Sequence, residues 1–225
     1  MDPVTQLRTR IGTRALLLTT AAVPLTGWAV HATALHRRLA ATKRDPLTGL
    51  LRRDAYTHRA RRLLARHGDT TTVVMVDADK FKAINDQLGH AAGDTVLAAF
   101  GTRLTTWAGP AAAVGRLGGD EFALVLELPA DRCVQRLEQL VRMLHTPVVL
   151  DDGRVVDVAA SVGAATPAAV GSRDLSLLQR AADAALYDGK HTGRAVLATA
   201  AHATVPSLNG RRAGRLGTAV WGKAA

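Results

Sequence analysis

Two pairs of acidic residues lie next to predicted strands, and their types and spacing suit a divalent cation. Asp77 and Asp79 follow the β-branched run TTVVMV, and Asp120 and Glu121 precede the apolar run FALVLEL. Residues two apart on a strand point to the same face, so Asp77 and Asp79 share a face if the strand continues through both. Carboxylates that converge repel one another unless a cation lies among them, and oxygen ligands suit Mg²⁺ or Mn²⁺ better than zinc. The two pairs therefore indicate a candidate magnesium or manganese site.

Gly118 and Gly119 directly precede the second acidic pair. Because they lack a Cβ, their backbone can approach a bulky anion closely and can adopt positive φ where a turn requires it. Exposed amides beside a divalent cation suit phosphate, and Lys82, Lys190 and Arg194 are cations for further phosphate oxygens. Two interpretations stay open on these residues alone. One is a metal-assisted phosphoryl-transfer site for a nucleoside triphosphate, and the other is an ordinary β-turn, in which glycine and aspartate are common.

The elements that must position these residues alternate between strand and helix patterns. The runs AAAVGRL and FALVLEL predict two strands of a hairpin that meet at the glycine pair. Helices are predicted to begin at Asp94 and at Asp174, both of which are good N-cap residues. This alternation predicts an α/β sandwich, in which helices cover a central sheet.

Composition narrows the possible partners. The apolar content of 48% is enough for a core, and Cys133, the one cysteine, excludes an internal disulfide. The net charge of +10 lies on the ends: residues 1–44 and 198–225 are strongly basic, whereas residues 45–197 carry equal numbers of acidic and basic side chains. A basic groove for nucleic acid is therefore not expected.

The basic N-terminal region contains an apolar segment, residues 15–35, with no charged side chain and arginines on both sides. As a helix it would be about 31 Å long, close to the thickness of a bilayer core. We interpret it as a membrane anchor; a signal peptide and a helix that packs on a partner chain are the alternatives. The basic tail, residues 198–225, shows no clear period and is predicted to be flexible.

Residues 45–197 resemble the GGDEF family of diguanylate cyclases. The motifs that carry the resemblance occur in order: DPLTGL at 45–50, DADKFKAIND at 77–86, GHAAGD at 89–94, RLGGDEF at 116–122 and ALYDGKHTGR at 185–194. The resemblance implies a nucleotidyl-cyclase or polymerase-palm-like central sheet flanked by helices, here with an N-terminal helical extension. It also implies that two GTP condense to cyclic di-GMP and two pyrophosphates, as each 3′-hydroxyl attacks the α-phosphate of the other GTP. Because one such domain holds one GTP, a homodimer is expected.

The resemblance also implies roles for individual residues. Asp77, Asp120, Glu121 and the Ala78 carbonyl match the ligands of Mg²⁺ or Mn²⁺; Asp120 and Glu121 are the expected catalytic residues, with Glu121 either on the metal or activating the 3′-hydroxyl. Asn85 and Asp94 match the pair that hydrogen-bonds guanine, and Asp79 is expected to support the metal ligands. The remaining residues matched to substrate binding are Phe81, Lys82, Gly118, Gly119, Lys190 and Arg194.

Two positions depart from the family pattern. Many members have an inhibitory product site, Arg-x-x-Asp, where this chain has Gly109–Pro110–Ala111–Ala112, so no product inhibition is expected through this segment. Arg52 stands where the family commonly has Asn, which we expect to affect only the local turn. The alternative function is a module that binds GTP or cyclic di-GMP without turnover. Since the reaction needs cytoplasmic GTP, the domain is expected on the cytoplasmic side of the membrane, which disfavours the signal peptide.

Overall fold

The computed structural model describes residues 43–190 and 192–204, together with Trp28 and His31. The chain divides into two compact units, Met1–Arg44 and Asp45–Ala225, and all the elements below lie in the second. The strands are β1 (Leu51–Arg52), β2 (Thr71–Ala78), β3 (Ala113–Arg116), β4 (Glu121–Glu127), β5 (Val148–Val149), β6 (Val155–Val156), β7 (Ala160–Ala165) and β8 (Ala195–Leu197). The helices are α1 (Arg53–His67), α2 (Phe81–Leu88), α3 (His90–Ala108), α4 (Ala130–Leu144), α5 (Pro167–Val170), α6 (Leu175–Gly189) and α7 (Ala200–Ala203), with a 3₁₀ turn at Gly68–Thr70.

Six of these strands form one mixed sheet in the order β1-β3-β4-β2-β7-β8. The two outer pairs, β1 with β3 and β7 with β8, are parallel, and the inner pairs are antiparallel. Strands β5 and β6 form a separate small hairpin. The architecture confirms the predicted α/β class with helices around a central sheet.

Each face of the sheet has its own apolar core, because alternate residues of a strand point to opposite faces. Val74 and Val76 of β2 belong to the core that contains Phe100 of α3 and side chains of α4. Val73 and Met75 belong to the core that α1 and α6 cover. The dense β-branched run of β2 is therefore buried on both sides, as expected for a central strand.

The predicted hairpin of β3 and β4 is confirmed, and the register of β4 with its other neighbour, β2, decides which acidic residues meet. Strand β4 pairs with β2 so that Glu121 lies opposite Asp77, and β7 places Ser161 opposite Asp77 on the other side. Strand β2 ends at Ala78, so Asp79 lies just beyond the ladder. Asp77, Glu121 and Ser161 therefore form a row across three strands on the face that α1 and α6 cover.

The two predicted helix starts had different outcomes. Asp174 caps α6 as predicted, since its Oδ1 accepts a hydrogen bond from the Leu177 amide at 2.8 Å. The prediction of a helix start at Asp94 is wrong, because α3 begins at His90, directly after Gly89. Gly89 has φ of +86°, and this conformation ends α2 and separates it from α3, with no side-chain hydrogen bond capping either helix at this point.

The predicted anchor, residues 15–35, lies outside the described residues apart from Trp28 and His31. Among the described residues, none of the helices has the length and apolar character to cross a bilayer. Of the predicted tail, residues up to 204 are described and include α7, where the Thr199 and His202 side chains form a capping box. His202 also contacts Asp188 of α6, with Nε2 3.1 Å from Oδ2.

Candidate active site

The acidic row at the end of β2 is held next to a lysine. Asp77 is 14% exposed, and its Oδ1 accepts a hydrogen bond from Lys190 Nζ at 2.9 Å. Lys190 follows the last residue of α6, so the packing of α6 on the sheet brings this cation to the acidic row. That packing needs Gly163 of β7, where a Cβ would collide with the backbone of α6. The structure thus brings together Asp77, Glu121 and Lys190, all of them predicted site residues.

The loop between β3 and β4, residues 117–120, is held mainly by hydrogen bonds that its backbone carbonyls accept. The Leu117 amide donates to Glu121 O at 2.9 Å, and the Ala78 amide donates to Asp120 O at 3.2 Å. Gly119 O accepts from Nε and Nη2 of Arg116, at 3.0 and 2.8 Å. Leu117 O accepts from Arg53 Nη2 at 2.7 Å. Strand pairing and two arginines therefore hold the loop that carries the glycine pair.

The glycine pair acts through its small size. Neither Gly118 nor Gly119 has positive φ, so the left-handed turn that the sequence left open is not used. A Cβ on Gly118 would lie 3.3 Å from Glu121 Oε2. At Gly119, no described atom lies within 4 Å of a Cβ position. The pair thus lets Glu121 fold back over the loop and leaves the loop surface bare of side chains.

Arg116 connects this loop to the turn at the start of the domain. Asp45 Oδ1 accepts from Arg116 Nη1 at 3.1 Å and from the amide and hydroxyl of Thr48 at 2.9 and 2.7 Å. Burial raises the pKa of Asp45, but these hydrogen bonds and the Arg116 charge outweigh burial and hold the pKa below its ordinary value. Asp45 is therefore a stable anionic anchor for Arg116 at neutral pH.

A second group of predicted residues meets where α2 packs on α3. Phe81 and Asn85 of α2 lie over Gly93 of α3, directly before Asp94. A Cβ on Gly93 would overlap Asn85 Oδ1 and lie 3.1 Å from Phe81 Cζ. The missing side chain lets the Asn85 amide approach the helix that carries Asp94.

Three further predicted residues, Lys82, Arg194 and Asp79, have different surroundings. Lys82 and Arg194 are exposed, and neither makes a side-chain hydrogen bond or ion pair within the described residues. Asp79 accepts a hydrogen bond from Ser161 Oγ at 2.8 Å, which suits its expected supporting role. Between Asp79 and Phe81, Lys80 has φ of +54°, an uncommon conformation for a residue other than glycine.

Three residues of the site were missed from the sequence: Arg53, Arg116 and Ser161. Arg116 stands within the motif RLGGDEF, but nothing in the sequence indicates which groups it contacts. Ser161 is opposite Asp77 only through the strand register, which no local pattern reveals. Arg53 is one of two adjacent arginines, and the sequence does not distinguish them.

The donor set fits a hard divalent cation. Among the described residues, no group of three His, Cys, Asp or Glu side chains is arranged as a metal cluster. Mg²⁺, however, commonly binds through one or two carboxylates together with substrate phosphates and water. Asp77 and Glu121, directly opposite on one face of the sheet, provide two such carboxylates, since cross-strand Cβ atoms lie about 5 Å apart.

Comparison with known proteins agrees with this geometry. The family model described as "Diguanylate cyclase, GGDEF domain" matches residues 42–196. An uncharacterized 19.3 kDa protein of Streptomyces ambofaciens, from the repSA 5′ region, is 44% identical over 172 residues, which are 76% of this chain and 91% of that protein. The diguanylate cyclase TpbB of Pseudomonas aeruginosa is 35% identical over 155 residues, or 67% of this chain. The chain spans only 35% of the length of TpbB.

Among solved structures, a truncated TpbB that comprises only the GGDEF domain matches with a TM-score of 0.63 and 34% identity. It covers 71% of this chain and 96% of the solved chain. A solved structure of the diguanylate cyclase SiaD of Pseudomonas aeruginosa, in complex with its activator SiaC, matches with a TM-score of 0.63 and 30% identity, over 86% of this chain and 76% of SiaD.

Proposed function

The chain belongs to the GGDEF-domain family of diguanylate cyclases, and we propose that it condenses two GTP molecules into cyclic di-GMP and two pyrophosphates. The observation that carries this proposal is the acidic row, in which Asp77 and Glu121 face each other beside Lys190 and the glycine-pair loop. The relation to TpbB, a named diguanylate cyclase, supports the same reaction.

We propose that guanine binds where α2 meets α3. Asn85 can donate and accept hydrogen bonds through its amide, and the Asp94 carboxylate can accept from the N1–H and N2–H₂ groups of guanine. Adenine presents no donor at N1, so an acidic residue at this position favours guanine. The exposed Lys82, on the same helix as Asn85, is proposed to bind phosphate oxygens.

The triphosphate and its metal ion are proposed to bind at the acidic row. Mg²⁺ or Mn²⁺ would be held by the carboxylates of Asp77, Asp120 and Glu121 and by the Ala78 carbonyl, and when bound it neutralises phosphate charge. Lys190 uses one ammonium donor for Asp77, which leaves two for phosphate oxygens. The further groups proposed to lie against the substrate are Phe81, Gly118, Gly119 and Arg194.

Glu121 is proposed to take part directly in the transfer. Its carboxylate lies next to Gly118, on the bare surface of the loop. In the reaction a bond forms between a 3′-oxygen and an α-phosphorus, and the bond from that phosphorus to pyrophosphate breaks. The 3′-hydroxyl proton must leave, and Glu121 either accepts it or helps to hold the metal ion. Each GTP supplies one 3′-hydroxyl to the other, so we propose a homodimer in which each copy holds one GTP.

The location of the protein follows as a separate proposal. GTP is a cytoplasmic substrate, so we propose that the catalytic unit lies in the cytoplasm, with residues 15–35 holding it at the inner face of the cell membrane. Cell fractionation tests this. The full chain should sediment with membranes and a chain without residues 1–40 should not, whereas a full chain in the soluble fraction would contradict the anchor.

The reaction is tested by incubating the full-length protein with GTP and Mg²⁺ and separating the nucleotides by chromatography. Cyclic di-GMP and pyrophosphate should appear in a ratio of one to two. At low protein concentration the rate per protein should rise with concentration, because two copies must meet. GTP binding without any dinucleotide, at high protein concentration, would favour the alternative of a binding module.

A further inference from the structure

Arg53, the first residue of α1, makes a contact that helix formation does not explain. A cation at a helix N-terminus opposes the helix dipole, so Arg53 does not stabilise α1 by its charge. Its side chain instead reaches the loop that carries the glycine pair, where Nη2 donates to Leu117 O at 2.7 Å. The neighbouring Arg52 is exposed and has no side-chain partner within the described residues.

The helix turn from which Arg53 extends is packed tightly against β3. Tyr56, one turn after Arg53, is fully buried. It packs on Gly115 of β3 so closely that a Cβ on Gly115 would lie 2.7 Å from Tyr56 Cβ. The first turn of α1 is therefore fixed against β3, and Leu117 is two residues beyond Gly115. Arg53 thus connects the fixed first turn of α1 to the loop that joins β3 to β4.

Because Leu117 begins the loop that leads to Asp120 and Glu121, the hydrogen bond from Arg53 restricts the backbone that carries these acidic residues. Both backbone polar groups of Leu117 are hydrogen-bonded: its amide donates to Glu121 O, and its carbonyl accepts from Arg53. Gly118 and Gly119 follow, and glycine has more conformational freedom than any other residue. Without the Arg53 bond, the loop would lose one of the contacts that hold it, while the hydrogen bonds from Arg116 and the strand pairing would remain.

We propose that Arg53 is a positioning residue for the transfer reaction, which fixes the glycine-pair loop so that Asp120 and Glu121 keep their productive geometry. This rests on the proposed cyclase function. Small losses of alignment at reacting groups reduce turnover strongly, whereas exposed substitutions rarely change the stability of a fold. The expected signature is therefore a loss of kcat without a matching loss of stability.

The test compares Arg53→Gln with Arg52→Gln as its matched control and Arg53→Lys as the conservative variant, all in the full chain. Arg53→Gln should lower kcat about tenfold, with KM for GTP within about threefold and an unchanged melting temperature. Arg52→Gln should match the wild type. Arg53→Lys should recover part of kcat, because an ammonium can still donate to Leu117 O.

Amide hydrogen exchange, measured without GTP, provides a readout that does not depend on turnover. Arg53→Gln should speed exchange in peptides that cover residues 117–121 and leave α6 unchanged. Equal kcat in Arg53→Gln and Arg52→Gln would overturn the proposal, as would faster exchange throughout the domain with a lower melting temperature. A wild type that shows no turnover would refute the cyclase function, and the exchange pattern would still decide whether Arg53 fixes the loop.

Discussion

Replacing Gly93 by alanine should weaken GTP binding while leaving the fold intact. The added methyl group would overlap Asn85 Oδ1, lie 3.0 Å from Asn85 Cγ and lie 3.1 Å from Phe81 Cζ. These atoms are at the ends of partly exposed side chains, so the Asn85 amide can rotate away and the Phe81 ring can shift by a few tenths of an ångström. Rotation out of a preferred rotamer costs about 0.5–1.5 kcal/mol, and alanine in a helix interior gains about 0.5–1 kcal/mol over glycine. The two nearly cancel, so the free energy of unfolding should change by less than about 1 kcal/mol.

The proposed guanine contact of Asn85 would not survive that rotation. A hydrogen bond of this kind is worth about 1 kcal/mol, or more if its partner stays buried, and 1.4 kcal/mol is a factor of ten in affinity. KM for GTP should therefore rise about five- to tenfold, with kcat nearly unchanged. Denaturant unfolding and steady-state kinetics measure the two effects, and Ala91→Ser, at an exposed position of the same helix, serves as the control. An unchanged KM would refute the assignment of Asn85 to guanine, and a large loss of stability would refute the packing argument.

Three further outcomes are expected. Glu121→Gln should reduce cyclic di-GMP formation at least a hundredfold without altering the circular dichroism spectrum, because it removes the charge and preserves the volume; full activity would exclude the proposed role. Asp45→Asn should lower the melting temperature at pH 7. Because the folded pKa of Asp45 is depressed, its contribution is present above the unfolded pKa, so the gap to wild type should narrow as pH falls below about 4. Added cyclic di-GMP should not inhibit through residues 109–112, which Arg59 holds by hydrogen bonds to the carbonyls of Pro110 and Ala111; inhibition removed by changes in this segment would contradict this.

The parts of the fold that the sequence predicted are those with a strong local pattern. The β-branched run before Asp77 and the apolar run after Glu121 are long enough to identify two strands, and the short segment between the runs AAAVGRL and FALVLEL identifies a hairpin. The meeting of Asp77 with Glu121 follows instead from the pairing of β2 with β4, two strands that lie far apart in the sequence. The start of α3 was missed because Asp94 is a good N-cap by type, whereas the actual boundary depends on the positive φ of Gly89.

The contacts that hold the site could not be predicted in the same way. Arg52 and Arg53 are identical and adjacent, and only the direction in which α1 leaves β1 decides which one reaches Leu117, 64 residues from Arg53. Arg116 likewise joins Asp45 across 71 residues. A hydrogen bond from a long side chain to a distant carbonyl produces no pattern in the sequence, because every residue has a backbone carbonyl and none is marked as the acceptor.

The geometry of the acidic row therefore depends on more than its acidic residues and the glycine pair. A slip of one residue between β4 and β2 would turn Glu121 to the opposite face, away from Asp77. The chain turns from β3 to β4 within residues 117–120, and two of these residues are glycines. The glycines leave the loop surface without side chains, but they also make the loop backbone more flexible. Arg53 and Arg116 offset that flexibility by binding the carbonyls of Leu117 and Gly119. A chain with the same acidic residues and glycines, but without these two arginines, would keep the chemical groups of the site and lose their alignment.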